Sequence, residues 1–227
     1  MKRISLLLVL LTVLCFGSCG TPRLDPGAFT ETIYAPAYAT GFDIRGLAAD
    51  SLSPTDRSAA PEAPTLITVR NPWQGASDIE HHLLVLRGDA EAPAAFDGTV
   101  VHAPVERVVC MSSGHIAFFD ALGETDRISG VSGIDYISNP RIQENRQAGK
   151  VHDIGFDSNI DFERLASMRP GIVLLYGVTG ENVAVTGKLR ELGIPYIYVG
   201  DYVENSPLGK ALSLIHISEP TRQAEIS

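Results

Sequence analysis

The chain has 227 residues, 44% hydrophobic and 20% charged, with a formal net charge of −9. That is an ordinary globular composition, long enough for one large domain or two small ones. No basic run follows Lys2-Arg3, which excludes a nucleic-acid binder, because phosphate recognition needs clustered Lys and Arg.

Lys2 and Arg3 open the chain and an apolar run, 4–16, follows. The run is shorter than the roughly 20 residues of a spanning helix and reads as a leader. Gly17-Ser18 then precede Cys19, which resembles the lipobox of bacterial lipoproteins. The resemblance implies cleavage before Cys19, its acylation and stable attachment to a membrane, since more than one acyl chain anchors firmly. Cys15 follows the bulky Leu14 and does not fit. Of the three cysteines, only Cys110 then stays unmodified in a mature chain; it lies in RVVCM and is expected as a small core residue.

Residues 20–64 are rich in Ala, Pro, Ser, Thr, Asp and Gly and are expected to form a tether. Strands are predicted at Thr65–Arg70, His82–Arg87 and Thr99–His102, with turns at Asn71-Pro72 and Asp97-Gly98. Together they suggest a small β meander over 65–103.

From Pro104 the pattern alternates strand and helix. Strands are predicted at Arg107–Met111, Ile128–Val131, Val151–Ile154, Ile172–Tyr176 and Tyr196–Val199. Helices are predicted at His115–Leu122, Ser158–Met168 and Val183–Leu192. The first carries Ile116, Phe119 and Leu122 at helical spacing. The second has Ser158 and Asp161 as a capping-box variant and Pro170 as its stop. The third ends on Gly193 and Pro195. Residues 133–147 read as a long loop with at most a helical turn. This order implies a parallel sheet with right-handed crossovers, an α/β lobe over 104–211.

Leu212 to Arg222 (LSLIHISEPTR) resembles, residue for residue, the translation of a transposon-end sequencing adapter. Residues 212–227 are therefore expected to be adapter-derived, and the lobe to be cut from a longer protein. His216 is given no functional role.

PVERVVCMSSGHIAFFDALGETDRISGVSG resembles the N-terminal lobe of the class III periplasmic binding proteins, the TroA-like receptors of ABC importers for iron-siderophores, haem and cobalamin. The matching parts are Pro104 to Arg107, Ser112-Ser113, Ala121-Leu122-Gly123 and Asp126 to Val131. They continue at Gly155, Asp161 to Leu165 and Met168 to Leu174, with Gly171 where the family usually has Asp. The lipobox together with NPWQGA (71–76) looks like the branch of Bacteroidetes-type bacteria. The resemblance implies a two-lobe, Rossmann-like receptor whose second lobe and backbone helix are missing here. It also implies a monomer in the cell envelope, periplasm-facing and lipid-anchored, delivering an iron chelate, haem or corrinoid to an ABC permease. Glu163 matches the N-lobe glutamate that docks on the permease; a solvated helix charge is the alternative. No resident cofactor or metal is implied.

Loops at the carboxyl ends of parallel strands line ligand crevices. That nominates Ser112, Ser113, His115, Asp135, Tyr136, Asp157 and Tyr176. Each has a structural alternative: Ser112 and Ser113 as helix caps, His115 as a surface residue near the cap, Tyr136 and Tyr176 as packing residues. His81-His82 are adjacent on a strand and point to opposite faces, so they do not suit one metal. The remaining His show no metal-site spacing, and neither GxGxxG nor a Walker motif is present. An envelope α/β hydrolase using Ser113 or His115 is the competing reading.

Overall fold

Two five-stranded sheets share one hydrophobic core in the computed structural model, which describes residues 26–36, 40–48, 63–93, 96–178 and 180–200. Cys19 and residues 212–227 lie outside those residues. Among the described residues, no helix is long and apolar enough to cross a membrane.

The first sheet runs in order β1 (Glu31–Tyr34), β2 (Phe42–Gly46), β3 (Thr65–Arg70), β4 (Glu80–Leu86), β5 (Thr99–His102). Two differences from expectation stand out. Strands β1 and β2 lie inside 20–64, the segment read as a tether; Phe42 and Ile44 are core residues, at 2% and 3% exposure. They were hidden because FDIRG is too short and polar to show a strand period. Second, β5 pairs parallel with β4, so 65–103 is no meander; only β1 to β4 are antiparallel. β3 is buried on both faces: Ile67 and Val69 face one cluster and Leu66 another, with Leu84, Leu86 and Phe29.

The second sheet is all parallel: β10 (Tyr196–Tyr198), β9 (Ile172–Leu175), β6 (Val108–Cys110), β7 (Ile128–Val131), β8 (His152–Asp153). Its first strand in sequence, β6, lies in the middle. Val108 and Cys110 point into one core and Val109 into the other, the period-2 alternation of a strand. Ile116 of α1 (Ser113–Ala121) and Ile142 of α2 (Pro140–Gln147) cover the first face. Leu165 of α3 (Phe162–Met168), with Val185 and Leu189 of α4 (Val183–Glu191), covers the second. This is the doubly wound arrangement, with helices on both faces of a parallel sheet.

The helix ends follow from their caps. Ser112 caps α1, accepting from the Gly114 amide at 3.2 Å. Leu122 lies past the end of α1 and is half-exposed. α2 sits where a loop was expected. Asn139 accepts from the Ile142 amide at 3.1 Å and Pro140 takes the first helical position, so the start signal was present. Its apolar stripe was not, since Ile142 is the only apolar side chain after Pro140. α3 begins at Phe162, capped by Asp161 at 2.9 Å from the Arg164 amide, and Ser158 plays no part in it.

The first sheet is fastened to the second rather than tethered. Its Phe42, Ile44, Ile67, Val69, Leu83 and Val101 join Val108, Ile172 and Ile197 in one cluster. The Thr99 hydroxyl donates to the Tyr196 carbonyl at 2.6 Å. Trp73, from the β3–β4 hairpin, packs edge-on against Tyr198 with ring centroids 5.1 Å apart. A Cβ at Gly177 would lie 2.6 Å from the Trp73 Cβ, so the hairpin closes directly on the loop after β9.

Such a shared core predicts one cooperative unfolding transition. Ile67→Ala, in the first sheet, is expected to lower the stability of the whole molecule by about 2–5 kcal/mol. Urea unfolding followed by Trp73 fluorescence and far-UV circular dichroism checks this. Two separate transitions would contradict it.

Candidate functional site

The strand order turns around between β6 and β9: the chain winds outward to β8 on one side and to β10 on the other. Ligands of open α/β sheets bind outside the carboxyl ends of the strands at such a switch point. The loops after β6 and β9 flank it, with the Met111 amide donating to the Leu174 carbonyl at 3.1 Å. Ser112 and Tyr176 stand on these two loops, as the sequence suggested, and Ser113 opens the helix that follows the first.

The loops after β7 and β8 are held together by a residue the sequence did not nominate. Asp153, at the end of β8, accepts from the Gly133 amide at 3.1 Å and the Gly155 amide at 3.0 Å through one oxygen. Gly133 and Gly155 have φ of 63° and 80°, the left-handed region that favours glycine. A Cβ on Gly133 would lie 2.6 Å from the Phe156 ring, and one on Gly155 would lie 2.5 Å from the Asn159 carbonyl oxygen. The missing side chains let Phe156 lie over Gly133, where it meets Tyr136 with centroids 6.1 Å apart at 55°. Tyr136 is 84% exposed and Phe156 49% exposed. A pair of aromatic rings therefore faces solvent at the strand ends.

Asp157, the residue after Phe156, meets Tyr176. Burial pushes the Asp157 carboxyl above the usual carboxylate range, and the Tyr176 hydroxyl donating to it works in the opposite direction. Asp135 is exposed and paired with Arg146 at 2.7 Å. On the far side of Tyr176, burial pushes the Tyr198 phenol up to about 12 although its oxygen accepts from the Asn182 amide at 3.1 Å. His81 packs edge-on against Trp73 at 5.5 Å, and burial lowers its pKa. His82 points the other way, its Nδ1 3.4 Å from the Thr68 hydroxyl. Trp73, His81 and Asp153 escaped the sequence reading because they reach this edge from outside the strand-following loops. The Gly133 and Gly155 positions were the signal that something must pass close there.

His115 does not join the surface. Its ring is 2% exposed and neither nitrogen has a hydrogen-bond partner. Ser113 and His115 make no hydrogen bond to each other. Ser113 is exposed on the first turn of α1. Cys110 is buried, and burial pushes its thiol up, which keeps it an inert core residue. Among the described residues, no group of three His, Cys, Asp or Glu side chains could hold a metal ion.

Glu163 is exposed on the first turn of α3. It borders an open depression with His152, Arg164, Ser167 and Met168. Arg164 pairs with Asp161 at 3.4 Å rather than with Glu163.

No family model matches the chain. It is 31% identical over 118 residues to an uncharacterised lipoprotein of Methanocaldococcus jannaschii, MJ0878, covering 49% of this chain and 28% of that protein. It is 29% identical over 140 residues to a second, MJ0872, covering 60% and 35%. The chain thus spans about a third of the length of these curated relatives. Among solved structures it is similar to the petrobactin-binding protein YclQ of Bacillus subtilis, at 18% identity and a TM-score of 0.42, covering 57% of this chain and 44% of that one. It is also similar to the haem-binding protein HutB of Vibrio cholerae, at 18% identity and a TM-score of 0.39, covering 52% and 43%.

Two measurements test the site. Asp153→Ala leaves two loop amides without their acceptor and is expected to cost about 1–3 kcal/mol. Faster amide exchange at both Gly133 and Gly155 is its signature; unchanged exchange would contradict the clasp. Burial lowers the His115 pKa from 6.5 to about 4. The unfolded chain therefore binds the extra proton between these values. Stability is full above about pH 6.5 and declines as pH falls toward 4, with about 2 kcal/mol lost at pH 5 from this group. His115→Leu is expected to remove that share of the acid loss, read from urea midpoints at pH 7 and pH 5. Equal losses in both proteins would contradict a buried neutral ring.

Proposed function

We propose that the chain is a lipid-anchored solute receptor of an ABC importer, capturing an iron chelate, haem or corrinoid at the carboxyl edge of the parallel sheet. The observation that carries this reading is the exposed Tyr136–Phe156 pair, built beside the switch point on two glycines and one aspartate clasp. Solvent-facing aromatic rings are costly to maintain and suit a flat, bulky ligand. Ser112, Ser113, Asp157 and Tyr176 supply polar contacts around it. His115 is buried in the core and is not among the proposed ligand contacts. No bond is made or broken: the site binds and releases.

The anchor is Cys19, supported by Lys2-Arg3, the apolar run and the two archaeal relatives named lipoproteins. With that anchor the receptor would stay in the cell envelope, and we take it to face the periplasm and to act as a monomer. Glu163, free of Arg164, is the docking charge for the permease, where it would steer encounter with a cationic pocket. The motif run from Pro104 supports both assignments.

Trp73 lies against Tyr198 and reports on this edge. Titration of the chain with haem, cobalamin and ferric siderophores is expected to change its fluorescence with at least one of them. Tyr136→Ala is expected to weaken that binding by about 0.5–1.5 kcal/mol, the worth of an aromatic contact. Glu163→Ala is expected to leave it unchanged and to reduce capture by the permease. No binding to any of the three, with turnover of an ester or glycan, would contradict the receptor reading.

A further inference from the structure

The charge at the ligand edge is one-sided. The loops after β6, β7, β8 and β9 span 111–112, 132–139, 154–161 and 176–182, and the β3–β4 hairpin spans 71–79. None of these segments contains a Lys or Arg. They contain Asp78, Asp135, Asp157, Asp161 and Glu181. Asp135 and Asp161 are neutralised by Arg146 and Arg164 on the following helices. Asp157 accepts from a neutral donor, the Tyr176 hydroxyl, and Glu181 accepts from the Thr186 hydroxyl at 2.9 Å, with the Arg190 guanidinium 3.4 Å from the same hydroxyl. At the opposite edge Arg107, Arg127, Lys150 and Arg169 stand just before β6, β7, β8 and β9, among Glu106, Glu124 and Asp126, with Arg127 paired to Glu124 at 2.6 Å. The loops where ligand would sit thus carry acidic side chains and no basic one.

Asp157 directly follows Phe156, one of the two exposed rings, in the loop after β8. Ring faces attract cations and stack on flat apolar surfaces. A carboxylate in partly excluded water repels a second anion more strongly than it would in bulk solvent. Resting on the receptor reading, we propose that this edge selects an uncharged or cationic ligand with a flat or apolar face and rejects polyanionic chelates. Asp157 is the specificity-determining charge, and Tyr136 with Phe156 is the stacking surface.

Calorimetric titration of the full 227-residue chain with three probes tests this: a cationic ferric trihydroxamate, uncharged cyanocobalamin and a trianionic ferric tris-catecholate. The cationic or the uncharged probe is expected to bind at least about tenfold tighter than the trianionic one, with the gap shrinking as salt screens the edge. Asp157→Asn is expected to narrow the same gap, by strengthening the anionic probe relative to the cationic one. Tris-catecholate binding as tight as the others, or tighter, would overturn the charge selection and leave the receptor reading standing. Binding of none of the probes would overturn both.

Discussion

Three residues in the middle of the second sheet, Val108, Val109 and Cys110, set the geometry on which the site depends. β6 is paired on both sides, with β7 and with β9, and no residue of it touches solvent. Its alternation sends Val108 and Cys110 toward α1, α2 and the first sheet, and Val109 toward α3 and α4. Because the chain enters the sheet at its centre, later strands must be added outward on both sides. The place where the direction of addition reverses is the carboxyl end of β6 beside β9. The candidate site therefore follows from where the first strand of the lobe sits.

Local geometry then builds a surface there. Two loops would ordinarily diverge from neighbouring strands. Asp153 ties them through two backbone amides, and two left-handed glycines let the chain pass closely enough to be tied. Phe156 rests on the space a Gly133 side chain would fill. The first sheet contributes from the other side by closing its hairpin on Gly177 through Trp73. Shape at this edge comes from glycines and hydrogen bonds; the selective chemistry is what we propose for Asp157, Tyr136 and Phe156.

The sequence revealed the parts governed by period and by strong punctuation. β3, β5 and β7 were legible to the residue, and β9, β10 and α4 to within one, because each is an apolar run or amphipathic stripe bounded by strong turn or stop signals. Strands β1 and β2 were not, since only tertiary contact with β3 makes such short polar-flanked segments strands. α2 was missed because its stability comes from an Asn-Pro start and from Asp126 ion-pairing with Arg141, not from an apolar stripe. Most site residues lie at the expected edge because strand-following loops must. His115 does not, since helix phase turned it inward, and adjacency in sequence to Ser113 carried no information about that. Asp153, Trp73 and His81 were invisible for the opposite reason: they act across the fold, from positions without a local signature.

The central claim is that ligand binds at the carboxyl edge of the parallel sheet, at the β6–β9 switch point. Amide hydrogen exchange of the full chain, with and without saturating cobalamin or a ferric trihydroxamate, tests it most directly. The account predicts slowed exchange confined to residues 132–136, 154–157 and 176–178. Unchanged exchange in those loops under saturating ligand, or protection instead at 123–127 and 169–171 on the opposite edge, would contradict it.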